Sequence, residues 1–115
     1  MATERAMFRR FVVESVAYWA REYHLDGFRF DLMGLIDVDT MNAVRAALDE
    51  IPDRGPSILM YGEPWSASAT AALPGTVLAD KAGLPQLDNR IGHFLRHHAR
   101  RHQWACVLLG PSRIR

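Results

Sequence analysis

Two acids and one base in this chain have the types and spacing that chemistry needs. Arg29 and Asp31 fall in Asp26-Gly-Phe-Arg-Phe-Asp-Leu-Met-Gly34, and Glu63 closes Ser57-Ile-Leu-Met-Tyr-Gly-Glu63. Phe28, Phe30 and Leu32 alternate with Gly27, Arg29 and Asp31, and this period of two marks a strand with one oily and one polar face. The second stretch alternates likewise, with Ile58, Met60 and Gly62 on one face and Leu59, Tyr61 and Glu63 on the other. The two acids lie about thirty residues apart, the length of one βα unit in an eight-unit barrel of roughly 250 residues. Adjacent parallel strands about 4.8 Å apart would bring them to the roughly 5–5.5 Å of a carboxyl pair working by double displacement at an acetal carbon. Asp31, paired with Arg29 and so kept ionised, would attack the anomeric carbon. Glu63, in a more apolar setting beside Tyr61 and Trp65, would hold its proton, give it to the leaving oxygen and then act as base toward water. Ordinary salt-bridged or exposed acids at strand ends are the competing reading.

These strands need helices to hold them. From Met7 to Tyr23, Phe8, Phe11, Val12, Val16, Trp19, Ala20 and Tyr23 recur at helical spacing, which predicts a helix whose aromatic stripe packs in the core. His24 follows as a cap, its imidazolium suited to the helix dipole. After Asp31, Asp37 or Asp39 can cap a second helix over 40–50, with Met41, Val44, Leu48 and Ile51 on its buried side. Ile51-Pro-Asp-Arg-Gly-Pro56 ends it, leading into the second strand through one crossover unit. Pro64 to Gly75 has the small-residue composition of a surface loop, and Trp65 within it either faces a ligand or folds down as a plug beneath the loop. Leu87 to His98 predicts a further helix with Ile91, Phe94 and Leu95 as its apolar positions. His98 and His102 are spaced i, i+4 with no third ligand evident, the pattern of a solvated basic face rather than a metal site. Ala105 to Leu109 reads as a short strand or an irregular tail.

Composition narrows the function classes. A net charge of +1 points to neither a nucleic acid nor an acidic membrane as partner. No apolar run approaches a membrane span, and the amino terminus lacks a secretory signal pattern, which favours a cytoplasmic location. The single cysteine, Cys106, excludes an internal disulfide or a cysteine-built zinc site. At 115 residues and 49% hydrophobic the chain has a globular composition, yet a full barrel needs roughly 250 residues.

Residues 26–34, followed by Tyr61-Gly-Glu-Pro-Trp65, resemble the fourth and fifth strands of the catalytic barrel of type I pullulanases, in the α-amylase superfamily of glycoside hydrolases. Residues 8–24 and 40–50 resemble that family's flanking helices, so the similarity runs over about residues 6–75. It implies an α/β fold, a partial (β/α)₈ TIM barrel containing about helix 3 through strand or helix 6, over residues 1–95, with 96–115 as a divergent basic tail. It implies Asp31 as nucleophile, Glu63 as general acid/base, Arg29 as the base orienting the nucleophile, and Trp65 with Tyr61 lining glucan subsites. The implied substrates are α-1,6 branch points in pullulan, glycogen and amylopectin dextrins. The implied partners are the α-glucan and the missing remainder of the barrel, and isoamylase or branching enzymes are the related alternatives. No organic cofactor is implied; calcium occurs in some members, and no site for it is identified here. The family's Asn-His on the third strand and His-Asp on the seventh have no counterpart, and its sixth strand is matched at best by Leu87-Asp88-Asn89. The isolated chain is therefore expected to be inactive.

Overall fold

The computed structural model describes residues 2–69, 71–96 and 104–107. Two α-helices, α1 (Ala6–Glu22) and α2 (Val38–Asp49), alternate with β1 (Gly27–Phe30) and β2 (Leu59–Gly62), followed by β3 (Ile91–Arg96) and β4 (Trp104–Val107). The strands form one sheet in the order β1-β2-β3-β4. The first three run parallel, with Phe28 opposite Met60 and Tyr61 opposite Gly92, while β4 returns antiparallel to β3.

The core lies between the helices and one sheet face. Ala20 from α1, Met41, Val44 and Leu48 from α2, and Ile58, Met60 and Ile91 from the strands are buried together, with Phe28 and Phe30 packed against them. The period-two faces of β1 and β2 and the buried side expected for α2 are all present. Asp37, not Asp39, caps α2, accepting from the Thr40 amide at 2.9 Å. It is buried within a polar knot in which its own amide donates to the Thr3 hydroxyl (3.0 Å) and Arg9 Nη2 donates to its Oδ2 (2.9 Å). His24 follows α1 with φ 54, the left-handed conformation common just past a helix end.

Two arginines clamp the amino-terminal ends of the strands. Arg45, buried on α2, donates to the carbonyls of Ile58 (2.6 Å) and Gly55 (2.7 Å), tying the helix to the approach to β2. Arg54 donates to the Ala20 carbonyl and to Asp26 Oδ1, tying the end of α1 to the approach to β1.

Two expectations are corrected. The helix foreseen over Leu87 to His98 is instead a turn over 87–90 followed by strand β3 from Ile91: β3 pairs with β2, and a parallel partner fixes extended backbone that the short apolar pattern Ile91, Phe94, Leu95 leaves ambiguous. The aromatic stripe of α1 is not core. Phe11, Trp19 and Tyr23 are exposed, as are Met7 and Tyr18, while Val12, Val16 and Ala20 of the expected stripe, with Val13, pack on the core. Small residues let α1 approach α2 closely, which turns the large rings outward. Trp19 and Tyr23 rest on each other at 4.6 Å between ring centroids. β4 lies in the segment expected to be a divergent tail, and His98 and His102 fall outside the described residues. No helix among the described residues is long and apolar enough to cross a membrane.

Replacing Arg45 by Met removes the guanidinium's bonds to the Ile58 and Gly55 carbonyls, of which Gly55 keeps only its 3.2 Å bond from the Ile58 amide, and is expected to cost about 1–3 kcal/mol, read from urea denaturation at neutral pH; an unchanged midpoint refutes the clamp. Acid acts on stability in two steps. Burial pushes the His93 imidazole below 6.5, so the unfolded chain takes up that proton first and stability falls as pH drops below about 6.5. For Asp37, burial acts to raise the carboxyl, but hydrogen bonds from Thr40 and Thr3, with the Arg9 charge, outweigh it and hold the group below 3.8. Its contribution is intact above that value and is lost as pH falls through the lower folded value. Urea midpoints measured from pH 8 to 2 should show the upper step flattened in His93→Gln and the lower in Asp37→Asn.

Candidate active site

The carboxyl ends of β1 and β2 are locked together by backbone bonds. The Glu63 amide donates to the Phe30 carbonyl at 3.0 Å, and its carbonyl accepts from Gly34 (3.1 Å) and Trp65 (2.8 Å). Two glycines make this closeness feasible. A Cβ on Gly62 would stand 2.8 Å from Met33 Sδ and 2.9 Å from the Phe30 oxygen, and one on Gly34 would stand 2.6 Å from the Trp65 carbonyl carbon. Between them Leu32 adopts φ 49 and ψ 46, a left-handed conformation uncommon for leucine. Its amide donates to Glu63 Oε2 at 3.0 Å.

The charged groups converge on one nitrogen. Arg29 Nη2 is 2.8 Å from Glu63 Oε1 and 3.1 Å from Asp31 Oδ1. Those two oxygens can therefore stand no farther apart than the sum of the two distances, which falls short of the roughly 6.5–9.5 Å spacing of an inverting carboxyl pair. Exposure separates the acids: the Asp31 side chain is 76% exposed and that of Glu63 19%. Asp31 follows β1 directly rather than lying within it.

Two further expectations change. Arg29 does not serve Asp31 alone, since its shorter contact is with Glu63. Nor is the setting of Glu63 apolar, because a guanidinium and a backbone amide each donate to it. Strand register explains both: Arg29 lies opposite Tyr61, one residue short of each strand's end, so its long side chain reaches either acid.

Tyr61 and Trp65 are partly buried beside the pair. Tyr61 meets an aromatic ring that sequence reasoning placed in a helix core, Phe94 on β3, edge-on at 5.7 Å between centroids. Phe94 also underlies Arg29, whose Cζ is 5.6 Å from the ring centroid. Reading 91–96 with a period of two would have found it, since Gly92 and Phe94 then share the face opposite Ile91 and His93. Among the described residues no group of three or more His, Cys, Asp or Glu could hold a metal ion. A separate cleft of about 430 Å³ opens between Glu4, Arg9, Asp37, Asp39 and residues 73–77, away from both strand-end acids. Of its charged walls, Arg9 pairs with Asp37 and lies 3.9 Å from Asp39, while Glu4 accepts from the Leu73 amide.

Gly34→Ala drives a methyl into the Trp65 backbone and is expected to destabilise by about 1–3 kcal/mol. The same variant should alter the indole emission attributable to Trp65, measured against a Trp65→Phe background. A midpoint and emission both unchanged would mean that the two loops are not in contact.

The fold has counterparts among known proteins. No protein-family model matches the chain. It is 38% identical over 94 residues to a pullulanase of Bacillus subtilis (strain 168), a match covering 82% of this chain and 12% of that one. The backbone superposes on the crystal structure of a pullulanase from Anoxybacillus sp. LM18-11 complexed with maltotriose, with a TM-score of 0.69 and 43% identity over 81% of this chain and 12% of the other. It does likewise on a Paenibacillus barengoltzii pullulanase in complex with maltohexaose and α-cyclodextrin, at 0.68 and 46%, over 80% of this chain and 13% of that one. The chain spans about an eighth of the length of these relatives. Its small α/β fold, a three-stranded parallel core with two helices, thus matches one region of a much larger protein, and over that region the chain is a homologue of pullulanases.

Proposed function

We propose that this chain carries the nucleophile and the acid/base of a retaining hydrolase acting on α-1,6 linkages of branched α-glucans, as part of a (β/α)₈ barrel. In this reading residues 1–95 form the barrel portion and 96–115 a divergent tail. The observation that carries it is the convergence of Asp31 and Glu63 on Arg29 Nη2 at 3.1 and 2.8 Å, from the ends of adjacent parallel strands. A spacing so short leaves no room for a water between acid and sugar on the opposite face, so a covalent glycosyl intermediate is the route it suits. The exposed Asp31 attacks the anomeric carbon while Glu63 protonates the departing oxygen; Glu63 then withdraws a proton from the water that releases the sugar. Arg29, shared between the acids, keeps the nucleophile oriented and balances charge as the proton moves. The maltooligosaccharides bound by the two pullulanases of known structure support an α-glucan as substrate, with Trp65 and Tyr61 against its rings.

A second reading is an α-glucan-binding or barrel-complementing role without turnover. It is favoured by the openness of the face bearing Arg29, whose side chain is 49% exposed. An unassembled site admits water and lacks the preorganised surroundings that make charge stabilisation effective.

A chimera tests the catalytic reading. Residues 6–75 replace the matching segment of the Bacillus subtilis pullulanase, and pullulan hydrolysis is assayed. Activity should persist in the chimera and fall by at least about 10³-fold with either Asp31→Asn or Glu63→Gln. A folded, active chimera indifferent to both substitutions overturns the assignment. The isolated chain should release no maltotriose from pullulan. Retardation in a glycogen-containing gel, abolished by Trp65→Ala, would then identify the binding role.

A further inference from the structure

Arg29 bridges two carboxylates from an exposed position, and such a bridge is weak by itself. An ion pair in contact with water contributes little, because screening weakens it and holding a long side chain in one rotamer costs entropy. Something must restrict this guanidinium if it is to stay between Asp31 and Glu63 rather than swing into solvent. Neither acid does so alone, since each can pair with it in several geometries. The parallel register supplies a better restraint. Tyr61 stands opposite Gly92, and Gly62 opposite His93, so the next residue of β3, Phe94, comes level with Glu63 on the face that carries Arg29. Its ring lies 5.6 Å from Arg29 Cζ, within the roughly 6 Å over which a ring face attracts a cation. Tyr61 abuts the same ring at 73° and 5.7 Å, which fixes its tilt.

We infer that Phe94 is a positioning residue: its ring holds the Arg29 guanidinium between Asp31 and Glu63, and Tyr61 braces that ring. Phe94 touches neither acid's reacting oxygen in this role. It acts through Arg29, by removing one side of the guanidinium from water and denying it the rotamers that point away from the carboxylates. A leucine there would fill part of the space but has no electron-rich face to attract the cation. A tyrosine would keep that face. The inference rests on reading Asp31 and Glu63 as the reacting pair for its importance, but not for its test, which reads the contact itself.

The test is side-chain NMR of the full chain at neutral pH, on the native protein, Phe94→Leu and Phe94→Tyr. In the native protein the Arg29 side-chain protons should show nuclear Overhauser contacts to the Phe94 ring and an upfield ring-current shift. The guanidinium nitrogens should be resolved because rotation is hindered. Phe94→Leu should collapse those nitrogen signals into one averaged resonance, and Phe94→Tyr should restore them. Absence of the native Overhauser contact overturns the inference whether or not either variant folds. So does a folded Phe94→Leu in which the nitrogens stay resolved, because Arg29 is then held by the acids alone. An inactive chimera in the pullulan assay, with these NMR results intact, refutes the catalytic reading and leaves the positioning of Arg29 standing.

Discussion

The parallel pairing of β1 with β2, in the register that sets Arg29 opposite Tyr61 and Phe30 opposite Gly62, is the constraint on which the rest depends. Because side chains alternate across a strand, a slip of one residue would send Glu63 to the helix side and leave Asp31 without a neighbour. The register also sets which residues follow the strand ends. The next step along each chain is Asp31 and Glu63, and both fall within reach of a single arginine.

The two ends of the sheet are stabilised by different means. At the amino ends, Arg45 and Arg54 donate to backbone carbonyls where helices give way to strands. At the carboxyl ends, glycine replaces arginine as the means of closeness, since Gly34 and Gly62 let two turns touch where any side chain would clash. The left-handed Leu32 costs some backbone strain there, and its amide is thereby aimed at Glu63. Left-handed backbone is not confined to that end, since His24 and Asp53 adopt φ 54 and 67 on the amino side, but the arginine clamps lie at one end and the tight glycine contacts beside the acids lie at the other. Such a division suits a sheet that presents chemistry along one rim.

Much of this was legible in the sequence, for reasons that can be traced residue by residue. The alternation through Phe28 and Phe30, and again through Ile58 and Met60, has no helical interpretation, so both strands and their faces could be read directly. The stripe of Met41, Val44 and Leu48 is long enough to demand a helix, and an aspartate before it demands a cap. The region 87–98 was misread because Ile91, Phe94 and Leu95 match helical spacing while Ile91 and His93 match strand spacing, and a short run cannot choose between them. The rings of α1 were misplaced for another reason. Apolar periodicity reveals that a face seeks burial, but not which neighbour covers it, and here Val12, Val13, Val16 and Ala20 take the contact with the core while Phe11, Trp19 and Tyr23 stay exposed.

By itself, then, the order of residues determined the local elements, the two acids at the strand ends and the arginine two positions before one of them, because each of these depends on neighbours within a few residues. Tertiary structure alone decided that Arg29 is shared rather than committed to Asp31, that Glu63 is met by a charge and an amide rather than by apolar surface, and that Phe94 lies beneath the guanidinium. All three arise between strands far apart in the chain, where contact is governed by sheet register and side-chain reach. Neither is expressed in the spacing of residues along one strand.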